Sequence, residues 1–153
     1  MSSKHRVSVS TQVDDLLCGP YWVIDLLPTQ VPSGEAGQFF EVERFLLSGS
    51  RHTELRKRFS EILLKLNCYH DLLVVRGTRS KGTLNPKPAK LDKLVLANEE
   101  DLSIIILPEE ALLTVSRDST CMTLYSPNPA LLQQMRHLAA ASNLFVWKPP
   151  HAE

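Results

Sequence analysis

The sequence predicts an α+β domain of the ferredoxin-like, split βαβ type, with an added hairpin and an extra helix on a mixed, mostly antiparallel sheet. Three observations carry this. Short apolar runs (YWVIDLL, DLLVV, LSIIIL and LFVW) alternate with two segments whose apolar residues recur every third or fourth position. The order is strand, one or two helices, strand, further strands, helix, strand, as two βαβ halves require. LLTVS and TCMTLYS flank Arg117-Asp118-Ser119, which reads as a hairpin with a tight polar turn.

Residues 1–14 are polar without a strong period and are expected to form a loose N-terminal tail. A single domain is expected over 15–150, with a tail at 151–153. Tyr21 to Leu27 is rich in aromatic and β-branched residues, as strands are, and Pro28 and Pro32 end it. Residues 37–48 fit a helix through Phe39, Val42, Phe45 and Leu46, and a strand through Phe40 and Val42; helix is the preferred assignment. RHTELRKRFSEILLKLN is an amphipathic helix with the stripe Leu55, Phe59, Ile62, Leu63 and Leu66; Arg51, Arg56, Lys57 and Lys65 are expected on its wet side. DLLVV follows as a buried strand. Residues 76–90 carry two Gly and two Pro and read as a loop, and LDKLVLA fits a helix or a strand.

The segment SPNPALLQQMRHLAAASNLFVWKPP closes the domain. Asn128 is a preferred N-cap, and Pro129 suits the first helical position because it has no donor to lose. Leu131, Leu132, Met135, Leu138 and Ala139 form the buried stripe. Asn143 can take the left-handed conformation that stops a helix, and Pro149-Pro150 terminates the last strand. LLVV and IIIL are apolar on both faces, so something must cover the second face of the sheet. The 37–48 helix and a second copy of the protein are the two candidates.

Composition narrows the function. Seventeen basic and seventeen acidic residues give zero formal charge, so no global field steers the chain to nucleic acid or a membrane surface. The N-terminus lacks the apolar core of a signal peptide, and no apolar run reaches membrane-spanning length. Cys18, Cys68 and Cys121 are odd in number, are not spaced as a metal or redox pair, and sit in mostly apolar surroundings. A reducing, cytoplasmic setting is the expectation. His5, His52, His70, His137 and His151 form no ligand pair. No metal, cofactor or catalytic residue is assigned.

Arg76, Arg79, Lys81, Lys87 and Lys90 belong to a basic stretch over 76–93 that could contact anionic ligands or nucleic acid nonspecifically. Its GTRSKGT places Lys81 before the second glycine, and LNPKP cannot open a phosphate-holding helix, so it is not a nucleotide loop. It also has no aromatic residue to stack a base, which argues against nucleic acid. The acids Glu99, Glu100, Asp101, Glu109 and Glu110 could neutralise it. CYHD at 68–71 joins thiol, imidazole and carboxylate, but adjacency in sequence is poor support for catalysis. Asp25 inside an apolar strand must be paired, at an edge or functional, which makes it, with His70, a possible cleft residue. Trp22 and Trp147, in the first and last strands, are expected to be close and are interface candidates.

The leading expectation is a small cytosolic non-enzymatic binding or regulatory module that associates with a protein partner, above all as a homodimer. The alternatives are a weak binder of anionic ligands or nucleic acid through the basic loop, and an enzyme whose site assembles only in space.

Overall fold

Apolar runs in this chain become strands of one sheet, and the segments with 3.6-residue stripes become the helices that cover it. The computed structural model describes residues 9–32, 34 and 37–150. In chain order the elements are α1 (Val9–Leu17), β1 (Tyr21–Asp25), α2 (Phe39–Leu46), α3 (Gly49–Leu66), β2 (Asp71–Arg76), β3 (Thr83–Leu84), α4 (Pro88–Ala97), β4 (Leu102–Leu107), β5 (Ala111–Val115), β6 (Cys121–Tyr125), α5 (Pro129–Ala141) and β7 (Phe145–Trp147). The sheet is seven-stranded, in the order β3-β2-β4-β5-β6-β1-β7.

The class is α+β, and residues 37–48 do contain a helix. The expected mixed sheet is instead antiparallel at every junction. Part of the reason is β3, which lies in the segment read from sequence as loop. It turns the chain back along β2 before α4 begins, so α4 delivers β4 antiparallel to β2. The crossover β6–α5–β7 spans a single strand, β1. The crossover from β1 to β2 spans three, β6, β5 and β4, where a four-stranded ferredoxin-like sheet has one.

One face of the sheet carries the main core. Leu55, Phe59, Ile62, Leu63 and Leu66 of α3, Leu91 and Val95 of α4, and Leu131, Met135 and Ala139 of α5 cluster with Ile24, Leu72, Ile104, Leu113 and Met122. The α5 start follows its sequence: the Asn128 side chain accepts from the Leu131 N–H at 2.7 Å. Its end does too. Asn143 has φ 57°, and Leu144 and Asn143 donate their N–H groups to Ala139 O and Ala140 O, which satisfies carbonyls that a helix end leaves free.

Val23, Val75, Ile105 and Leu112 alternate onto the opposite face and are buried as well. Helix α1 lies across this face against β5. Residues 9–14, expected in a loose tail, are therefore part of the fold; 1–8 and 151–153 lie outside the described residues. The half-buried positions of α1, Val9, Gln12, Val13 and Leu16, recur at helical spacing. Its C-terminal end is held where Ser126 N–H donates to Pro20 O at 2.8 Å. There a Cβ added to Gly19 would lie 2.0 Å from Ser126 Oγ, so a larger residue requires the serine hydroxyl to turn away.

Four further expectations change. Arg56 is not on the wet side of α3 but 1% exposed. Its Nε donates to Val95 O at 2.6 Å, at the end of α4, and an Nη to Ser116 O at 3.0 Å, just past β5. Cys18 and Cys68 are exposed rather than embedded in apolar surroundings. Trp22 and Trp147 do occupy neighbouring strands. However, Trp147 pairs with Val23 and Trp22 with Leu124, so strand alternation sends the indoles to opposite faces. Leu138 is only half-buried.

Two stability measurements test these assignments. Leu63→Ala should lose about 2–5 kcal/mol in denaturant titration, as cavity formation at a fully buried leucine does, and Leu138→Ala only about 1 kcal/mol. Arg56→Ala should also lose about 2–5 kcal/mol, because it removes a fully buried side chain and strands the buried Val95 carbonyl; an effect below about 1 kcal/mol would show that this contact contributes little.

Candidate functional site

Asp25 is the last residue of β1, and strand alternation turns it onto the face opposite the main core, in register with Cys121 of β6 and Phe145 of β7. It opens into a cleft of about 480 Å³. Trp147 forms one wall from β7, Phe39 and Glu43 come from α2, and the turn after β5 supplies Arg117 through Thr120. The inner side of α2 (Phe39, Glu43, Leu46) is half-buried at helical spacing, which explains why Glu43 faces the carboxylate of Asp25.

The electrostatics follow from partial dehydration. Burial raises the pKa of Asp25, and nearby Glu43 adds to the rise; backbone N–H groups of Leu27 and Leu26 and the Trp147 indole oppose it. The indole N–H exerts this pull from beyond hydrogen-bond geometry, since Trp147 Nε1 is buried without an aligned partner. Burial also raises the pKa of the Cys121 thiol, with Asp25 and Glu43 adding to the effect, against a hydrogen bond from Ser119 that lowers it. Cys121 is thus a neutral thiol, the opposite of an activated nucleophile.

His70 is placed elsewhere, at the start of β2. Its Nδ1 lies 2.9 Å from Glu109 Oε2, off the N–H axis, and its Nε2 lies 2.6 Å from Gln134 Oε1. Both ring nitrogens have neighbours, so the residue locks α5 to the β4–β5 turn rather than facing a cleft. Cys68 and Asp71 do not join it: the thiol donates to Leu64 O and Asp71 accepts from Asn85.

The basic residues do not form one patch. Arg76 is bound by Glu100, at 2.6 and 2.7 Å, so the acidic segment neutralises it within the molecule. Arg79 and Lys81 lie in the turn between β2 and β3. Lys87 caps α4 and Lys90 belongs to it, beyond Asn85, which pairs with Leu72 near the other end of β2. Leu72 and Arg76 are separated by roughly 13 Å of strand. A larger groove of about 930 Å³ beside α1 sets Arg79 and Arg117 among Asp14, Glu99, Glu100, Asp101 and Asp118, an acidic surplus that does not suit an anion. Among the described residues no three His, Cys, Asp or Glu side chains converge as a metal site.

Sequence reasoning found Asp25 and Trp147 separately. It missed Glu43, Cys121 and Phe39, which carry no motif and are brought to Asp25 only by the β1–β6–β7 register and the position of α2.

The raised pKa of Asp25 gives a signed prediction. The folded state holds this proton more tightly than the unfolded chain, whose value is near 3.8. Stability therefore falls as pH rises through the window above 3.8. Asp25→Asn should raise stability at neutral pH, and the gain should vanish below the unfolded value; a pH-independent difference in thermal unfolding would refute the burial argument.

Comparison with protein-family models, with curated proteins and with solved structures finds no match to this chain.

Proposed function

We propose that the protein is a non-enzymatic binding module that associates with a protein partner, first of all a second copy of itself, through helix α2. The observation that carries this reading is the outer side of α2, where Phe40 is 77% exposed, Phe45 55% and Val42 50%. Buried apolar positions elsewhere account for the core, and α1 already covers part of the second sheet face. The surface for association is therefore α2 rather than an open sheet.

The order of residues along α2 suits a two-fold. About a centre between Val42 and Glu43, an antiparallel copy sets Phe40 against Phe45 of the second copy and Glu41 against its Arg44. Within one chain Glu41 and Arg44 are 3.6 Å apart and exposed, free to exchange partners across such an axis. Zero net charge offers no long-range repulsion. Three free cysteines, two of them exposed, support a reducing compartment such as the cytoplasm. The strand order supports a ferredoxin-like plan: in place of the single strand expected between β1 and β2 lies the β4–β5–β6 meander, one hairpin more than the split βαβ unit has.

Sedimentation equilibrium at about 10 µM, a concentration on the order of common dimer affinities, tests the proposal. The expected mass is two chains, falling to one in Phe40→Glu/Phe45→Glu with stability changed by no more than about 0.5 kcal/mol. A wild-type mass of one chain rules out the homodimer.

A further inference from the structure

The Asp25 cleft has a composition that the association surface does not use. Its depth is acidic and its walls are aromatic: the carboxylates of Asp25 and Glu43 face a space bounded by the Trp147 and Phe39 rings. Among the described residues the lining contains one base, Arg117, which belongs to the exposed turn and has Asp118 as its own partner at 3.6 Å. Among the described residues of the cleft no cation pairs with Asp25, whose charge is eased only by the backbone N–H groups of Leu26 and Leu27 and by the poorly aligned Trp147 indole. The Trp147 Nε1–H is buried without a well-aligned acceptor, its pull on Asp25 falling outside good hydrogen-bond geometry. A buried indole N–H normally finds one, and each orphaned polar group costs free energy that a ligand supplying the partner recovers.

We propose that this cleft is a binding site for a small organic ammonium that bears a hydroxyl beside its charged group and a compact apolar body. The ammonium donates to Asp25 and is attracted by Glu43. The hydroxyl oxygen accepts from Trp147 Nε1–H, and the apolar body lies against Phe39 and the Trp147 ring. Anions are repelled by the two carboxylates, and a neutral apolar molecule leaves Asp25 dehydrated without a counter-charge. The volume, about 480 Å³, is within the usual range for small-molecule sites. An ammonium over the indole face gains a further electrostatic attraction. Because the ligand stabilises the charged carboxylate, its binding releases a proton wherever Asp25 is still protonated, and affinity rises with pH through that range.

The test uses the full-length chain carrying Trp22→Phe, a change on the opposite sheet face that leaves one indole, Trp147, to observe by NMR. Protonated 2-amino-1-phenylethanol is titrated and compared with 2-phenylethanol, which lacks the charge. The expected result is a saturable shift of the Trp147 indole N–H with the ammonium, and affinity weaker by about ten-fold or more for the alcohol. Asp25→Asn, which removes a buried charge and leaves the fold intact, should weaken the ammonium by a similar factor and abolish the pH dependence. Three outcomes would overturn the proposal: an indole resonance that does not move up to about 10 mM ligand, equal shifts from the two probes, or unchanged binding in Asp25→Asn. The titration is independent of the mass measurement on α2, so either proposal can fail without the other.

Discussion

The guanidinium of Arg56 joins three parts of the molecule: α3, the end of α4 and the chain just past β5. From the middle of α3 it binds a carbonyl at the end of α4 and another just past β5, and the Nε bond is 2.6 Å. A planar fork can serve both acceptors at once, where a lysine would present a single point charge. Its cost is dehydration: burial lowers the pKa of Arg56, while Asp118 opposes the shift, and the group remains a cation. One Nη is left without a partner among the described residues. Hydrophobic burial brings α3 to the sheet, but it is non-directional. Arg56, with His52 and Ser60 one turn to either side, sets the rotation and height at which α3 meets its neighbours. Ser60 donates to Asp92 of α4 at 2.5 Å, and His52 lies 3.4 Å from Ser119 O in the β5–β6 turn.

That polar seam has a consequence for the cleft. The turn from Ser116 to Thr120 forms one rim, and it is gripped from several directions. Arg56 holds Ser116, Asp101 accepts from Arg117 N–H at 2.7 Å, and Asn98 and Asp118 exchange hydrogen bonds at 2.7 and 2.8 Å. Asn98 can do this because it occupies the left-handed conformation that ends α4. The rim is therefore positioned by Arg56 from the far side of the sheet and by the loop between α4 and β4. Preorganisation of this kind reduces the ordering cost when a ligand binds.

Much of the scaffold could be read in advance, for reasons that are local. The stripe of α3 and the Asn128–Pro129 start and Asn143 stop of α5 express short-range physics: periodicity, an orphan donor and a left-handed residue. What escaped reading depends on distance. Helix α1 has Val9, Val13, Leu16 and Leu17 at helical spacing, but its polar residues and terminal position resembled a tail. Arg56 reads as a surface cation by charge type, although its companions at the same spacing, His52 and Ser60, mark a polar stripe. Two-residue β3 has no periodicity to detect; Asn85 fixes it, accepting Leu72 N–H while donating to Asp71. For the cleft, Asp25 was conspicuous because a carboxylate in an apolar strand needs a reason. Glu43 and Cys121 are ordinary in sequence and acquire meaning only from register.

The two ends of the sheet bear on how copies of this protein can add to one another. At one end β3 has two residues, too few to template a strand of another chain. At the other, β7 has three, Arg136 of α5 donates to Val146 O at 2.9 Å, and Pro149-Pro150 follows. Growth by strand addition would produce an open-ended fibre, since each added copy exposes a fresh edge. With both margins blunted, open-ended growth by strand addition at the sheet edges is disfavoured.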